Sequence, residues 1–424
     1  MHLSAPLRYK AVGYLQNKGL DLDFISYETS QNMLDLLEVN SSRYERVALN
    51  ASLGRVLFED IVAEFNDPQF PTASMDGYAV KYADLEKKEL RVLGDNPAGH
   101  DETRVLQEGE CIKTFTGSMM PKGADTLIQI ENVSYKDGKI TINEPVALGS
   151  SVRPIGEGYK AGQTLIAKGA KIGFAEVGVM AGLNQVMVKV AIRPRVAVIA
   201  TGSEILDLGE NSDNPSQIRS SNNYTLAALF EQAGAEVIQL GTAPDDKDAI
   251  MHTFENALAN ADILVSTGGV SVGDYDFVKD IVPRLGAEVV YKGVGIKPGR
   301  HLLVAQMQNK FILALPGFAY SSTVTAILYA LPLISKMLGK KIPFKQVGAK
   351  LQEDFKKRSR FTEFTACNVV VEDGEYFVNF KDKIIGSSAI LTNMLSQSAL
   401  MVAGEEDKFL EAGTFVNVIL LENF

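Results

Sequence analysis

The stretch Ala261-Asp262-Ile263-Leu264-Val265-Ser266-Thr267-Gly268-Gly269-Val270-Ser271-Val272-Gly273-Asp274-Tyr275-Asp276 decides the fold. Its first five residues form an apolar run of the kind buried in a sheet, and a helical pattern begins near Phe277. A strand ending in Thr-Gly-Gly at a helix mouth exposes backbone N–H groups with no side chain in the way, and that geometry receives phosphate or another oxyanion. Asp274 and Asp276 follow at once, and carboxylates beside a phosphate cradle point to a bridging Mg²⁺. Taken alone, a Gly-Gly turn that binds nothing is the better interpretation. The surrounding sequence reverses that preference.

Upstream, Arg195–Thr201 (RVAVIAT) is a continuous apolar strand of the doubly buried, parallel kind. Residues 222–233 carry Leu226, Leu229, Phe230 and Ala233 on one helical face. Residues 236–240 read as a strand, 245–259 as a helix with Ile250, Phe254 and Ala257 inward, and 262–266 as the next strand. This alternation predicts right-handed crossovers and a doubly wound α/β domain with an open parallel sheet. Ligands in such sheets sit beyond the carboxyl ends of the strands. There the sequence places Gly202, Ser203 and Glu204, then Asp245 and Asp246, then Thr267, Gly268 and Gly269, then Lys297.

Each motif carries its own chemistry. Glu204 either holds a metal or a ligand hydroxyl or simply stands in solvent at a strand-end turn. Of Asp245 and Asp246, one would cap the following helix while the other faces the ligand. Ile296-Lys297-Pro298-Gly299-Arg300 puts two cations on a rigid turn, which in an acidic protein points to an oxyanion or phosphate, the alternative being a charged surface loop. Leu315-Pro316-Gly317 is a further backbone wall or simply a turn. Two motifs look bland locally: Ser74-Met75-Asp76-Gly77-Tyr78-Ala79-Val80 reads as a hairpin signal, and Thr116-Gly117 as a turn.

Outside the α/β region the texture differs. Residues 27–39 show a helical period with Thr29 or Ser30 as N-cap. Short β-type runs at 46–49, 90–92, 126–130 and 139–142 predict a β-rich domain over 46–150. Glycines punctuate 151–190, with a short helix at 174–181. The α/β domain spans 191–339 and includes a core helix at 326–338 that contains Pro332. Runs at 361–371, 375–380, 399–403 and 415–421 predict a small β-barrel or sandwich over 340–424. The fold class is therefore multidomain α/β plus β: an α/β domain flanked by β-rich domains, with a C-terminal barrel-like domain.

The formal net charge of the 424 residues is −10, which argues against nucleic acid or an anionic membrane as partner. An anionic ligand therefore requires a local basic pocket. The two cysteines, Cys111 and Cys367, are far apart, and the four histidines show no metal-ligand spacing. The N-terminus is too polar for a signal peptide, and a soluble cytoplasmic protein is expected. No Ser/His/Asp set or nucleophilic cysteine context occurs, so covalent catalysis is not indicated. Carboxylates, glycine cradles and two cations fit metal-assisted chemistry on a phosphorylated substrate.

Together, in order and at family-like spacing, SxMDGYAV, TG followed by PxG, RxxGE, TGxE, SNxxxL, GGVSVGxxD, KPG and LPG resemble the molybdopterin molybdenumtransferases, the MoeA and gephyrin E-domain family. The resemblance covers nearly the whole chain after about Tyr27. It implies that adenylylated molybdopterin and molybdate are the substrates, that molybdenum enters the dithiolene, and that AMP leaves with the help of Mg²⁺. It implies a homodimer of four-domain subunits, with residues 27–45 and 151–190 forming a discontinuous linker and dimerisation domain. It also implies a cleft between the α/β domain of one subunit and the β-rich domain of the other, together with adenylyltransferase and molybdoenzyme-delivery partners. Carried over by motif, Asp76, Thr116, Glu157, Glu204, Asp245 and Asp276 would be catalytic, with Glu204, Asp245 and Asp276 on the metal. Arg153, Gly268, Gly269, Ser271, Lys297, Arg300, Gly317 and Ser387 would bind the pterin, its phosphate or molybdate. The chain departs from the family pattern at Gly158 and Ser203, both usually acids, at Ser220, Arg300, Phe318 and Ala319. The two lost carboxylates motivate an alternative, a paralogue that binds or carries molybdopterin without turnover. A molybdopterin adenylyltransferase is the third reading.

Overall fold

The computed structural model describes residues 24–270, 277–340, 344–396 and 398–421. They form two compact units. The first comprises the described residues up to 47, residues 54–58 and those from 189 on; the second comprises 48–53 and 59–188.

The first unit is built on a six-stranded sheet in the order Glu236–Ala243, Arg195–Thr201, Ile263–Thr267, Lys310–Leu315, Leu303–Met307 and Glu288–Lys292. The first four strands are parallel, as expected. The fifth, Leu303–Met307, runs antiparallel to them, because the two residues Gln308 and Asn309 are too few for a parallel crossover and only close a hairpin between Met307 and Lys310; the sixth, Glu288–Lys292, is antiparallel to the fifth and so points the same way as the first four. Strand residues alternate between two dry faces. Val196, Val198, Ile263, Val265, Phe311 and Leu313 face one core, which is covered by Leu226 and Phe230 of helix Asn222–Gln232 and by the helical run 319–337. Ala197, Ile199, Leu264, Ile312 and Ala314 face the other, covered by Ile250, Phe254 and Ala257 of helix Lys247–Asn260 and by helix Val278–Arg284. Helices on both faces make the domain doubly wound. In the run 319–337 one wider π turn, Ala326–Ala330, immediately precedes Pro332, the residue that removes a donor from the ladder.

The C-terminal strands close into a barrel in the order Thr362–Glu372, Glu375–Asn379, Gln346–Leu351, Phe415–Leu420 and Ser398–Ala403, with the last pairing back onto the first. Strand Gln346–Leu351 was not evident from the sequence. Alternate residues again serve two cores: Cys367, Met401 and Val418 fill the barrel, while Phe364, Ala366, Leu400 and Ile419 join the core of the α/β sheet. Strand Val294–Lys297 pairs with Thr362 and Glu363 of the barrel and, on its other side, with Ile25 and Ser26. Lys297 therefore belongs to the barrel's sheet, not to the α/β sheet where the sequence had placed it. The helix that follows, Tyr27–Leu36, is capped by Ser26, whose hydroxyl accepts the Thr29 N–H at 3.1 Å. The expected caps Thr29 and Ser30 lie inside this helix, because Ser26 is the last residue with extended backbone.

The second unit carries a six-stranded sheet in the order Thr126–Gln129, Gly77–Val80, Glu110–Thr114, Glu89–Asn96, Lys139–Ile142 and Val133–Lys136. Two short ribbons accompany it, Val152–Arg153 with Thr72–Ala73 and Thr164–Ile166 with Ile61–Val62. The Asp76-Gly77 pair is not a hairpin turn. Gly77 opens an inner strand flanked by Thr114 and Gln129, and glycine is required there because a Cβ would overlap the Ile128 carbonyl oxygen. Among the described residues no helix is long and apolar enough to cross a membrane.

Gly77→Ala is therefore expected to destabilise the second unit by about 1–3 kcal/mol through overpacking. A urea titration of the variant that matched the unaltered chain would refute this steric assignment.

Candidate functional site

In the first unit, strand Arg195–Thr201 is flanked by Glu236–Ala243 on one side and Ile263–Thr267 on the other. The connections leave in opposite directions, which opens a crevice at the carboxyl ends. A cleft of about 1000 Å³ occupies it, lined from below by the sheet and from the side by the barrel. Glu204, Asp245, Gly268, Gly269, Lys297, Arg300, Gly317 and Ser387 all line it. Ser271, Asp274 and Asp276 lie outside the described residues.

The floor is backbone. Gly268 has φ 90°, and a Cβ there would stand 2.7 Å from the Thr201 carbonyl oxygen. Gly269 has φ 63°, with Thr201 Oγ1 3.1 Å from its would-be Cβ. Both positions therefore exclude other residues. The Gly268 N–H is donated to the Leu315 carbonyl at 3.1 Å, so it is not the free donor that the Thr-Gly-Gly motif predicts. The neighbouring parallel strand end has claimed it. What the floor does offer is the Thr267 hydroxyl, which is buried on the cleft wall and has no hydrogen-bond partner among the described residues. A buried polar atom of this kind fits a polar ligand group. Gly317 is held by its carbonyl, which accepts from Asn222 Nδ2 at 2.7 Å.

Two carboxylates line the cleft beside the sheet. Asp246 caps helix Lys247–Asn260, accepting the Ala249 N–H at 2.8 Å, and this leaves Asp245 to line the cleft. Asp245 and Ser203 clasp each other: the Ser203 N–H donates to Asp245 Oδ2 at 3.1 Å, and the Asp245 N–H donates to Ser203 Oγ at 3.1 Å. Among the described residues no three His, Cys, Asp or Glu side chains gather as a metal site. Glu204 and Asp245 are oxygen donors on one wall, and such a pair fits a hard divalent cation that keeps waters and takes phosphate oxygens.

Cations line the cleft as well. Lys297 Nζ lies 3.6 Å from Glu363 Oε1, and the Glu363 side chain is 3% exposed. Glu363 Oε2 also accepts the Arg358 N–H at 3.1 Å and the Ser359 hydroxyl at 3.2 Å, so one buried acid anchors both Lys297 and the segment 358–359. Arg300 and Arg360 lie over the Phe361 ring at 5.9 and 5.0 Å. Arg358 donates to the Ile385 carbonyl at 3.1 Å. Among the described residues none of these three arginines is ion-paired, and all three line the cleft. Sequence reasoning missed Arg358 and Arg360. Their signal was the basic run Lys356-Lys357-Arg358-Ser359-Arg360 in a chain of net charge −10. Ser387 sits on the adjoining loop, where the Ser388 carbonyl accepts from both the N–H and the hydroxyl of Ser321 at 3.1 and 3.2 Å.

Asp76, Thr116, Arg153 and Glu157 belong to the second unit. Asp76 Oδ1 accepts both the N–H and the hydroxyl of Thr116 at 2.8 Å. These two bonds, the backbone one first, hold its carboxyl below the usual carboxylate range. Arg153 Nε donates to Glu157 Oε2 at 2.6 Å. Ala73 links the two pairs: it stands opposite Val152 in the ribbon, and its carbonyl accepts the Gly117 N–H at 2.8 Å. Neither cysteine offers a nucleophile, since burial pushes both thiols up to about 12.

Comparison with known proteins places this architecture. Residues 25–183 match the MoeA N-terminal region (domain I and II), and residues 197–336 match a probable molybdopterin binding domain. The molybdopterin molybdenumtransferase of Nostoc sp. is 34% identical over 388 residues, covering 89% of this chain and 88% of that relative. The chain belongs to the molybdopterin molybdenumtransferase family. A second member, from Staphylococcus aureus, is 32% identical over 384 residues, covering 89% of this chain and 91% of that protein. The crystal structure of the molybdopterin biosynthesis moea protein from Pyrococcus horikosii superposes with a TM-score of 0.81 at 28% identity, covering 95% of this chain and all of that one.

The Asp76–Thr116 geometry sets a pH dependence. Because the folded carboxyl is depressed, its contribution to stability is present above the ordinary carboxylate range and is lost as pH falls through the folded value. Thr116→Val removes the hydroxyl bond and leaves the N–H bond, so the Asp76 carboxyl should titrate higher than in the unaltered chain. A carboxyl NMR titration that showed no upward movement would contradict the assignment.

Proposed function

We propose that this member of the family carries out the molybdenum-insertion step itself, taking adenylylated molybdopterin and molybdate and releasing AMP. Family membership already makes it a transferase of molybdenum cofactor biosynthesis. The observation that carries the finer reading is the polarity of the cleft. Glu204 and Asp245, which follow strands of the α/β sheet, line the same cleft as Lys297, Arg300, Arg358 and Arg360, which lie on or beside the barrel strands, and Gly268, Gly269 and Gly317 line it too. A substrate that joins a phosphoanhydride to a metal oxyanion matches that division of charge.

In this reading Glu204 and Asp245, with Asp276, would hold Mg²⁺, which when bound supplies charge neutralisation at the phosphoanhydride. Gly268, Gly269 and Gly317 let the pterin and its phosphate approach the backbone. Lys297 and the arginines hold molybdate, and Ser387 offers it a hydroxyl. Buried Glu363 fixes the direction in which Lys297 and residues 358–359 point, so the cationic wall is arranged before the anion arrives. Thr116 donates to Asp76 twice, which favours its ionised form and fixes its direction, and Arg153 and Glu157 are held as a pair. Positioning and charge, not a protein nucleophile, carry the reaction.

We further assign the chain to the cytoplasm and to a homodimer. The dimer is supported by helix Phe174–Gly182, on which Phe174, Ala175, Gly178, Val179, Ala181 and Gly182 are exposed with no polar residue among them. A face of that composition on a soluble protein fits a subunit contact.

AMP release from adenylylated molybdopterin with Mg²⁺, measured with and without molybdate, tests the assignment. Molybdate-dependent release is expected, with Asp76→Ala slowing it. Truncating Arg358 or Arg360 to alanine should raise the molybdate concentration for half-maximal rate about tenfold, as loss of one charge-assisted contact does. Bound ligand with no release would replace the transferase with a carrier, and release indifferent to molybdate would reduce the activity to hydrolysis of the phosphoanhydride.

A further inference from the structure

We propose that Asp67 supplies, from a different segment of the chain, the carboxylate that the Arg153-to-Glu157 motif lacks at Gly158, and that it thereby positions Arg153. Three observations converge. The first is space. A Cβ built on Gly158 would stand 2.6 Å from Asp67 Oδ2 and 3.5 Å from its Cγ, so the Asp67 carboxylate already fills the volume that a side chain at 158 would enter. The second is backbone register. The Gly158 N–H donates to the Asp67 carbonyl at 2.8 Å, the Asp67 N–H donates to the Tyr159 carbonyl at 2.9 Å, and the Gly156 N–H donates to the Pro68 carbonyl at 3.0 Å. These bonds fix residue 67 beside residue 158 from both sides. The third is charge. The Arg153 guanidinium is bracketed by Glu157 Oε2 at 2.6 Å and Asp67 Oδ2 at 3.8 Å.

The Asp67 side chain is 46% exposed, so no requirement of the core explains an acid there. An aspartate at 158 would crowd the Asp67 carboxylate and repel it, so that the Asp67 side chain would have to turn away from its place beside Arg153. The chain carries one of them, and Arg153 keeps two acidic neighbours. Arg153 faces Thr72 in its ribbon, and the adjoining Ala73 is the residue that ties down the Thr116-Gly117 turn. Asp67 therefore acts through Arg153 on the ribbon whose Ala73 holds the Thr116-Gly117 turn, and Thr116 in turn holds Asp76. It is a positioning residue, and its role in turnover rests on the transferase reading above.

Exchange of the carboxylate between the two positions tests this. Asp67→Ala and Gly158→Asp are each expected to lower molybdate-dependent AMP release about tenfold, and the double variant to recover to within about threefold of the unaltered chain, a coupling of the size seen for contacting residues. In parallel, Gly158→Asp should lower the urea midpoint when Asp67 is present and leave it unchanged in the Asp67→Ala background. A residue that only braced the fold would move the midpoint without any recovery of rate on relocation. Asp67→Ala at the full rate, or a double variant as slow as Asp67→Ala, overturns the inference. If the unaltered chain released no AMP, the transferase reading would fall. The midpoint cycle would then decide alone: equal destabilisation by Gly158→Asp in both backgrounds would overturn the exchange of carboxylates.

Discussion

Burial of both faces of the central sheet is the constraint on which the rest depends. Val196, Val198, Ile263 and Val265 point into one dry core and Ala197, Ile199 and Leu264 into the other. Polar chemistry in the middle of such strands would cost several kcal/mol per unpaired group. Ligand-facing groups are therefore confined to the carboxyl ends, and there the strand order reverses and leaves a gap. Gly268 follows from the same constraint. Adjacent strand ends converge on Thr201, and no side chain can share that space.

The second determinant is electrostatic. A chain of net charge −10 repels the anions it handles, so its cations must be gathered and oriented locally. Glu363 performs the orientation by an apparent contradiction: an acid, nearly excluded from solvent, directs Lys297 and the backbone of Arg358 toward the cleft. A buried carboxylate is tolerated only when its lone pairs are satisfied, and here a backbone N–H, a hydroxyl and an ammonium do so. Its neighbours on the strand, Phe364 and Ala366, are rooted in the main core, so the cationic wall has the rigidity of the core itself.

The sequence disclosed what periodicity and composition encode. Arg195–Thr201 and residues 222–233 were legible as a doubly buried strand and an amphipathic helix because their patterns are long and regular. Asp245 and Asp246 divide the capping and cleft-lining roles as local chemistry allows. Three kinds of information were not legible. Inner strands of the second unit such as Gly77–Val80 begin with turn-type residues, and only the close approach of Ile128 reveals why glycine stands there. Arg358 and Arg360 enter the cleft through tertiary pairing, since barrel strand Thr362–Glu372 lies beside Val294–Lys297, and no local pattern announces that neighbour. The fate of the Gly268 N–H depends on Leu315, a residue from a separate strand. Asp76 and Thr116 stood out through family motifs alone.

The pairing of Ile25 and Ser26 with Val294 and Gly295 has a consequence for how the chain is made. The partner of this opening strand emerges from the ribosome about 270 residues later, roughly 15–50 s at ordinary elongation rates. When the excursion 59–188 has been synthesised it can fold by its own contacts, whereas the first unit then has only its residues up to 47 and 54–58. An apolar helix face carrying Leu34 must wait, exposed, for the core that will cover it. Closure of the first unit is thus a late event of high contact order, and its opening segment is where a chaperone would find the nascent chain most in need of shelter.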